Sequence, residues 1–491
     1  MSVVVPEKLS TGIIGLDDVL GGGFPKGRLY LIQGNPGVGK TTLGLQFLLE
    51  GVRKGERTLY ISLSETKDEL EAVAQSHDWS IGKIEMFELS AIEELLGPES
   101  VQTVYRSAEV ELNETTQKLL AKVAEIKPAR VVFDSLSELR LLAKDSLRYR
   151  RQILALKQYF ADKDCTVLLL DDKSSEQTDV HLQSIAHGVL TMEQVPSVYG
   201  VDRRRLRVQK IRGVRFRSGY HDFNLETGGI VVFPRLIAAE HRDPFEPGSV
   251  TSHVPELDEL LGGGLDKGAS NLFLGPAGSG KSTMAIQFAV AAAQRGQNAA
   301  LYLFEESLRT LLLRADGLKQ DLRKYVDEGK ISVRLIDPAE LTAGEFSHIV
   351  RNEIEHRPTQ IIVIDSLNGY LNAMPEERML ILQLHELLSY LGQKGVTTIL
   401  VMAQHGLMGS AIQTPIDVSY LADTVLLFRY YELHGEIKLA MSVAKRRGGA
   451  HERTIRELHL SSEKGITVGQ PLTHLRGVLT GVPIPIETAI T

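Results

Sequence analysis

The sequence predicts an α/β protein made of two tandem domains, each a mainly parallel sheet flanked by helices. Three observations predict it. A glycine-rich stretch occurs twice, as Gly34-Asn35-Pro36-Gly37-Val38-Gly39-Lys40-Thr41 and as Gly275-Pro276-Ala277-Gly278-Ser279-Gly280-Lys281-Ser282. Apolar, strand-length runs alternate with amphipathic helical stretches along both halves, the pattern of a sheet crossed by helices. Motifs also recur in the same order: the triple glycines begin at Gly21 and Gly262 and the two stretches at Gly34 and Gly275, both shifted by 241 positions. That period is far too long for a solenoid, so each copy is a whole domain.

Each glycine-rich stretch matches G-x-x-x-x-G-K-[ST], the phosphate-binding loop. Arg28–Gln33 and Asn271–Leu274 precede the loops as apolar strands. Helices around Leu43, Phe47 and Leu48, and around Met284, Ile286 and Phe288, follow them. Strand, loop and helix is the context the motif requires. Backbone N–H groups of Gly34, Gly37, Val38, Gly39, Thr41 and Thr42, and of Gly275, Ala277, Gly278, Ser279, Gly280, Ser282 and Thr283, are expected to cradle the phosphates of ATP. Lys40 and Lys281 reach the terminal phosphates, and the hydroxyls of Thr41 and Ser282 are expected to ligate Mg²⁺.

After each first helix a strand ends in acid, Thr58–Glu65 in one half and Ala299–Glu306 in the other. A carboxylate there can polarise an attacking water or hydroxyl, which makes Glu65, Glu305 and Glu306 catalytic candidates. A solvated strand end is the plainer reading, and the repetition favours catalysis. The second half carries the pair Glu305-Glu306 where the first has Ser64-Glu65. Residues 66–127 read as helical and polar, with the single tryptophan, Trp79, in the core. The runs Ala129–Ser135 and Gln360–Ser366 then deliver Asp134 and Asp365 to the Mg²⁺ shell. One helix later come the strands Thr166–Asp172 and Thr397–His405, whose polar ends either sense a terminal phosphate or cap a strand.

Each half closes on a basic strand, Leu206–Gly213 and Leu439–Gly448. Strand alternation puts Lys210 with Arg212, and Lys445 with Arg447, on one face. Such a pair can meet the triphosphate of a neighbouring subunit; a solvated edge and a nucleic-acid patch around Arg203-Arg204-Arg205 are the rivals. A linker is expected between Pro234 and Gly248, giving domains over residues 1–240 and 248–491.

Bulk properties narrow the class. The chain has 491 residues, 43% hydrophobic and 24% charged, as in a globular protein. A net charge of −7 gives no support to a general nucleic-acid coat or a basic membrane surface. Cys165 is the only cysteine, which excludes an intrachain disulfide and a thiolate metal cluster. The histidines show no metal-ligand spacing. No signal peptide or membrane-length apolar run is visible, so a cytoplasmic location is expected.

The doubled Ser-Thr-Gly-Ile-x-Gly-Leu-Asp…Gly-Gly-Gly…phosphate-loop opening, with acid-ended strands and Lys-x-Arg-Gly strands, resembles the KaiC family of tandem RecA-like P-loop ATPases and autokinases of the circadian clock. The resemblance spans nearly the whole chain. It implies a homohexameric double ring with ATP between adjacent subunits, slow ATP hydrolysis in the N-terminal ring, and self-phosphorylation in the C-terminal ring. It carries ATP-contacting roles onto Lys210, Ile211, Arg212, Lys445, Arg446 and Arg447 from the neighbouring subunit. It makes Glu65 the retained member of a glutamate pair and Glu305 the base for phosphoryl transfer. The family's Ser-Thr acceptor pair falls on Ser419 and Tyr420, so the serine is retained and a tyrosine replaces the threonine; Thr414 matches an additional threonine. Ser419 is the expected acceptor, ahead of Tyr420 and Thr414. A KaiB-like protein partner is compatible with the resemblance, whereas the short tail offers no match to the segment that recruits the clock's activator. The expected function is ATP hydrolysis with serine autophosphorylation in clock-like or stress signalling. The alternatives are a DNA-stimulated RecA/RadA-like ATPase, against which the acidic balance stands, and a scaffold that binds ATP to hold a ring.

Overall fold

The computed structural model describes residues 6–88, 108–143, 145–173, 178–197, 200–372, 377–404, 418–480 and 482–486. The chain divides into two compact units, Met1–Arg235 and Leu236–Thr491. Leu236 and Ala238 are buried in the second unit's core, and the Ala238 N–H donates to Glu386 at 3.1 Å. Asp243 pairs with Lys394 at 2.5 Å, so the segment after Arg235 packs against the second unit.

Each unit is organised by a nine-stranded sheet. In the first, the strands are β1 (Leu29–Gly34), β2 (Thr58–Ser62), β3 (Glu85–Glu88), β4 (Arg130–Asp134), β5 (Thr166–Asp172), β6 (Gly188–Val195), β7 (Arg203–Ile211), β8 (Tyr220–Glu226) and β9 (Gly229–Phe233). Their order across the sheet is β9-β8-β7-β6-β1-β5-β4-β2-β3. In the second, β10 (Ser270–Gly275), β11 (Asn298–Leu303), β12 (Ile331–Leu335), β13 (Thr359–Asp365), β14 (Thr397–Ala403), β15 (Thr424–Leu433), β16 (Glu436–Arg446), β17 (Arg456–Ser461) and β18 (Gly465–Pro471) follow. Their order is β12-β11-β13-β14-β10-β15-β16-β17-β18. In each sheet the six strands bearing the motifs and their neighbours run parallel, and the last three turn back antiparallel. The fold class read from the sequence is therefore the one observed.

The central strands are buried on both faces, as apolar runs in parallel sheets are. Alternation divides β1 between two cores: Tyr30 and Ile32 face one, Leu29 and Leu31 the other. In β10, Phe273 faces one core while Leu272 and Leu274 face the other. Helix α1 (Lys40–Arg53) follows the first loop and α3 (Lys281–Gln294) the second; between them lies α2 (Lys67–Ser76), and α4 (Leu308–Gly317) comes later. Arg130, fully buried at the start of β4, locks α1 to the sheet. Its guanidinium pairs with Glu56, donates to the Phe47 and Ser10 carbonyls, and lies 4.7 Å from the Phe47 ring centroid.

Two expectations are corrected. Residues 66–127 are not helical throughout, because Glu85–Glu88 adds the edge strand β3 beside β2. Trp79 is not a core residue but lies half-buried at the core's rim, its ring 4.8 Å from that of His77. Charged flanks around β3 hid the first, and Trp79 covers Gly229 from outside, where a Cβ would come within 2.4 Å of the indole.

Candidate functional site

The phosphate loops sit at the C-terminal ends of β1 and β10. Gly37 (φ 78°) and Gly39 (φ 108°) adopt the left-handed conformation that glycine tolerates, as do Gly278 and Gly280. Gly34 has no room for a side chain, since a Cβ would meet the Met192 carbonyl at 2.7 Å. In the second loop the Phe428 carbonyl crowds Gly275 in the same way, at 2.4 Å. Val38 anchors the first loop in the core, and its N–H donates to Asn35 at 3.3 Å. Ser279 is buried, donating through N–H and Oγ to the Pro276 carbonyl. The Ala277 carbonyl accepts from Tyr430 at 3.2 Å. Helices α1 and α3 begin at glycines with no side-chain cap, which leaves their first N–H groups directed at the loop.

Around the first loop, the Thr41 hydroxyl donates to Asp134 at 3.0 Å. Tyr60 donates to the same carboxylate oxygen at 2.5 Å. Burial pushes the Asp134 pKa up, partly offset by these two hydrogen bonds and by Lys40. Lys40 donates to the Gly34 and Asn35 carbonyls, each at 3.0 Å, and to Asp172 at 2.8 Å. Glu65 is held by Ser62, whose hydroxyl accepts from the Glu65 N–H at 3.0 Å. Its Oε2 is buried without a hydrogen-bond partner among the described residues, and burial, with Asp134 and Glu69 nearby, raises its pKa to about 6. Thr42 lies 3.4 Å from His77 Nε2.

The second loop is wired differently. Ser282 hydrogen-bonds Asp365, whose pKa burial raises. Lys281 donates to the Pro276 carbonyl at 2.6 Å, and burial lowers its pKa to about 8. The two glutamates diverge. Glu305 is exposed and accepts from Ser366 at 3.0 Å, while Glu306 pairs with Arg314, which also donates to Thr283 at 3.3 Å. Burial still raises the Glu306 pKa, with Arg314 opposing it.

The basic residues lie elsewhere. Ile211 on β7 pairs with Gly188, and β6 pairs Gly188 with Tyr30 near the start of β1. Arg446 on β16 pairs with Thr424, which pairs with Asn271 near the start of β10. Both groups therefore lie at the end of the sheet opposite their own phosphate loop, roughly 15 Å away at about 3.3 Å per residue. Arg212 lies just beyond the end of β7, donating to the Ser184 carbonyl at 2.6 Å, with Lys210 and Lys157 as like-charged neighbours. Ile211 itself is buried in the first core. Lys445 donates to the Ser419 and Ala422 carbonyls at 2.8 and 2.7 Å, and Arg447 to the Tyr420 carbonyl at 3.0 Å. Lys445 and Arg447 thus converge on the turn that carries Ser419. Arg446 turns away to pair with Asp266 at 2.6 Å. In that turn Ser419 is half-buried and Tyr420 is 52% exposed. Thr414 lies outside the described residues.

Comparison with known proteins gives the chain its family. The family model for the ATPase KaiC matches residues 9–237 and again residues 250–473. The chain belongs to the KaiC family. It is 28% identical over 486 residues to the circadian clock protein KaiC3 of Synechocystis sp., covering 97% of this chain and 95% of the relative. It is 27% identical over 485 residues to the circadian clock oscillator protein KaiC of Synechococcus elongatus, covering 97% and 92%. Among the described residues, no helix is long and apolar enough to cross a membrane.

Sequence reasoning missed three participants. Tyr60 on Asp134 and Arg314 on Glu306 lie within ordinary-looking stretches; their only signal was that Leu301 and Val73 stand at the matching places in the other half. Ser62, which fixes Glu65, is matched by Leu303.

Proposed function

We propose that this KaiC-family protein binds Mg-ATP in both domains, hydrolyses it at the N-terminal site, and transfers phosphate to Ser419 from the C-terminal site of a neighbouring copy. The observation that carries the N-terminal assignment is the orphaned, buried Oε2 of Glu65, beside the Lys40–Thr41–Asp134 group. A carboxylate with a pKa near 6 is ionised at neutral pH and basic enough to draw a proton from water. The Thr41–Asp134 and Ser282–Asp365 pairs supply hard oxygen donors beside a phosphate loop, which fits Mg²⁺. When bound, the ion would neutralise charge developing on the transferred phosphoryl group. Lys40 and Lys281 orient that group, and the loop N–H groups hold the remaining phosphates.

At the C-terminal site, Glu305 takes the serine proton and its orientation comes from Ser366. Ser419 cannot be served by its own domain's nucleotide, because its turn lies at the opposite end of β10. Transfer in trans, with ATP between subunits, removes that distance and brings Lys445 and Arg447 to the neighbour's phosphates. The same reasoning applies to Lys210 and Arg212. A homohexameric ring is the assembly this reading requires, located in the cytoplasm; clock-like or stress signalling with a KaiB-like partner is its biological setting. The test is intact mass after incubation with Mg-ATP, with peptide mapping of residues 410–425. One phosphate on Ser419, lost in Glu305→Gln while nucleotide binding persists, is expected. ATP turnover without phosphate on the chain would reduce the reading to an ATPase.

A further inference from the structure

Asp172 distinguishes the two nucleotide sites. It ends β5, opposite Gly34 in the register of β1 and β5. Its Oδ1 lies 2.8 Å from the Lys40 ammonium, whose two other hydrogen bonds go to the Gly34 and Asn35 carbonyls. An ammonium has three protons to donate, so the protein's own acceptors occupy all of them. Ser137 reaches the other oxygen, Oδ2, at 3.4 Å. The matching position in the second domain, opposite Gly275, is Ala403. Among the described residues Lys281 accordingly has no carboxylate in hydrogen-bond contact; it donates to the Pro276 carbonyl.

The charge around the two lysines differs accordingly. Asp134, Glu65 and Asp172 all lie in the field of Lys40 at the first site. At the second, Asp365, Glu305 and Glu306 are offset by Lys281 and by Arg314. A phosphate entering the first site must displace a carboxylate from Lys40 and then remain beside it. Like charges at such range cost binding free energy, and the cost falls when a divalent cation accompanies the phosphates.

We propose that Asp172 is a specificity-determining residue of the N-terminal site: a carboxylate that stands in for phosphate on Lys40 and makes the site accept metal-bound nucleotide while rejecting metal-free nucleotide. This rests on the reading of the N-terminal loop as an ATP site. The C-terminal site, with Ala403, lacks the filter.

The test uses the full chain carrying Lys281→Ala, so that only the first site binds. A fluorescent ATP analogue is titrated in Mg²⁺ and in EDTA, with and without Asp172→Asn. Removing one charged competitor is expected to tighten binding in EDTA about tenfold and to change binding in Mg²⁺ less than about twofold. Asp172→Ala, with circular dichroism to verify folding, guards against an effect peculiar to asparagine. The reciprocal Ala403→Asp, in a chain carrying Lys40→Ala, is expected to weaken binding in EDTA by a similar factor. Unchanged or weaker binding in EDTA for both Asp172 variants would overturn the filter, while tight Mg²⁺-dependent binding by the parent would leave the nucleotide reading standing. Loss of Mg²⁺-dependent binding in Asp172→Asn would make Asp172 a ligand instead and also overturn it. A parent that binds no nucleotide in either buffer would end both.

Discussion

The two domains share a sheet order and a phosphate loop, yet they hold their candidate carboxylates in opposite ways. In the first, the Glu65 Oε2 has no hydrogen-bond partner among the described residues and the lysine is held by Asp172. In the second, Glu306 is held by Arg314 and the lysine hydrogen-bonds no carboxylate among the described residues. Asp134 receives hydrogen bonds from Tyr60 and Thr41, whereas Asp365 receives one from Ser282, because Leu301 replaces the tyrosine. Duplication supplied the same backbone twice, and a handful of side chains then set the two sites apart. Under the proposed function, an acid poised near neutral pH suits water attack, and an arginine-neutralised acid beside an exposed one suits a different acceptor.

The largest effect should come from Glu65→Gln. Removing the base is expected to lower ATP turnover at the first site by about 100-fold or more while nucleotide affinity stays within a few-fold, measured in the Lys281→Ala background. Glu306→Gln at the second site should change turnover much less, since Arg314 already engages that carboxylate. Equal losses at both sites would break the comparison.

Arg314→Val makes the second site resemble the first, where Val73 stands. Releasing Glu306 is expected to raise ATP hydrolysis there several-fold, read as free phosphate from a chain carrying Lys40→Ala. No gain would show that the arginine contact does not hold hydrolysis down.

A pH profile sharpens the same contrast. Glu65 must be ionised to act as a base, so turnover at the first site should fall about tenfold per pH unit below about 6. A profile flat to pH 5 would remove Glu65 from that role.

The smallest effect concerns stability. His221 is buried and His187 half-buried in the first domain, and desolvation, aided by nearby cations, lowers both to about 4 from the ordinary 6.5. The unfolded chain therefore binds more protons than the folded chain between those values, and stability falls as pH drops from 6.5 towards 4. His221 uses Nδ1 to accept from the Arg235 N–H and Nε2 to donate to the Arg217 carbonyl, an arrangement that needs the neutral ring. Thermal unfolding of the first domain should shift downward over that range, and His221→Gln should reduce the shift.

What was legible in the sequence was local. A phosphate loop, a strand ending in Asp134 or Asp365 and a strand ending in Glu65 or Glu306 are short segments whose backbone roles fix their residues. The partners of those residues were not legible, because the fold rather than any motif spacing brings them together. Lys40 meets Asp172 only because β5 lies beside β1, and Glu306 meets Arg314 only because α4 begins right after the strand it leaves. The basic strands were visible, but their position at the far end of the sheet depends on β7 and β16 running antiparallel to their neighbours. Arg446 shows the limit of alternation: period two sets it apart from Lys445 and Arg447, and only the fold shows Asp266 waiting on that side.

The most direct test of divided labour is the fate of labelled γ-phosphate in the otherwise unaltered Glu65→Gln chain. Free phosphate should fall sharply while phosphate on Ser419 still forms. Loss of both together, or free phosphate released at the parental rate, would contradict the assignment of hydrolysis to the first site and self-phosphorylation to the second.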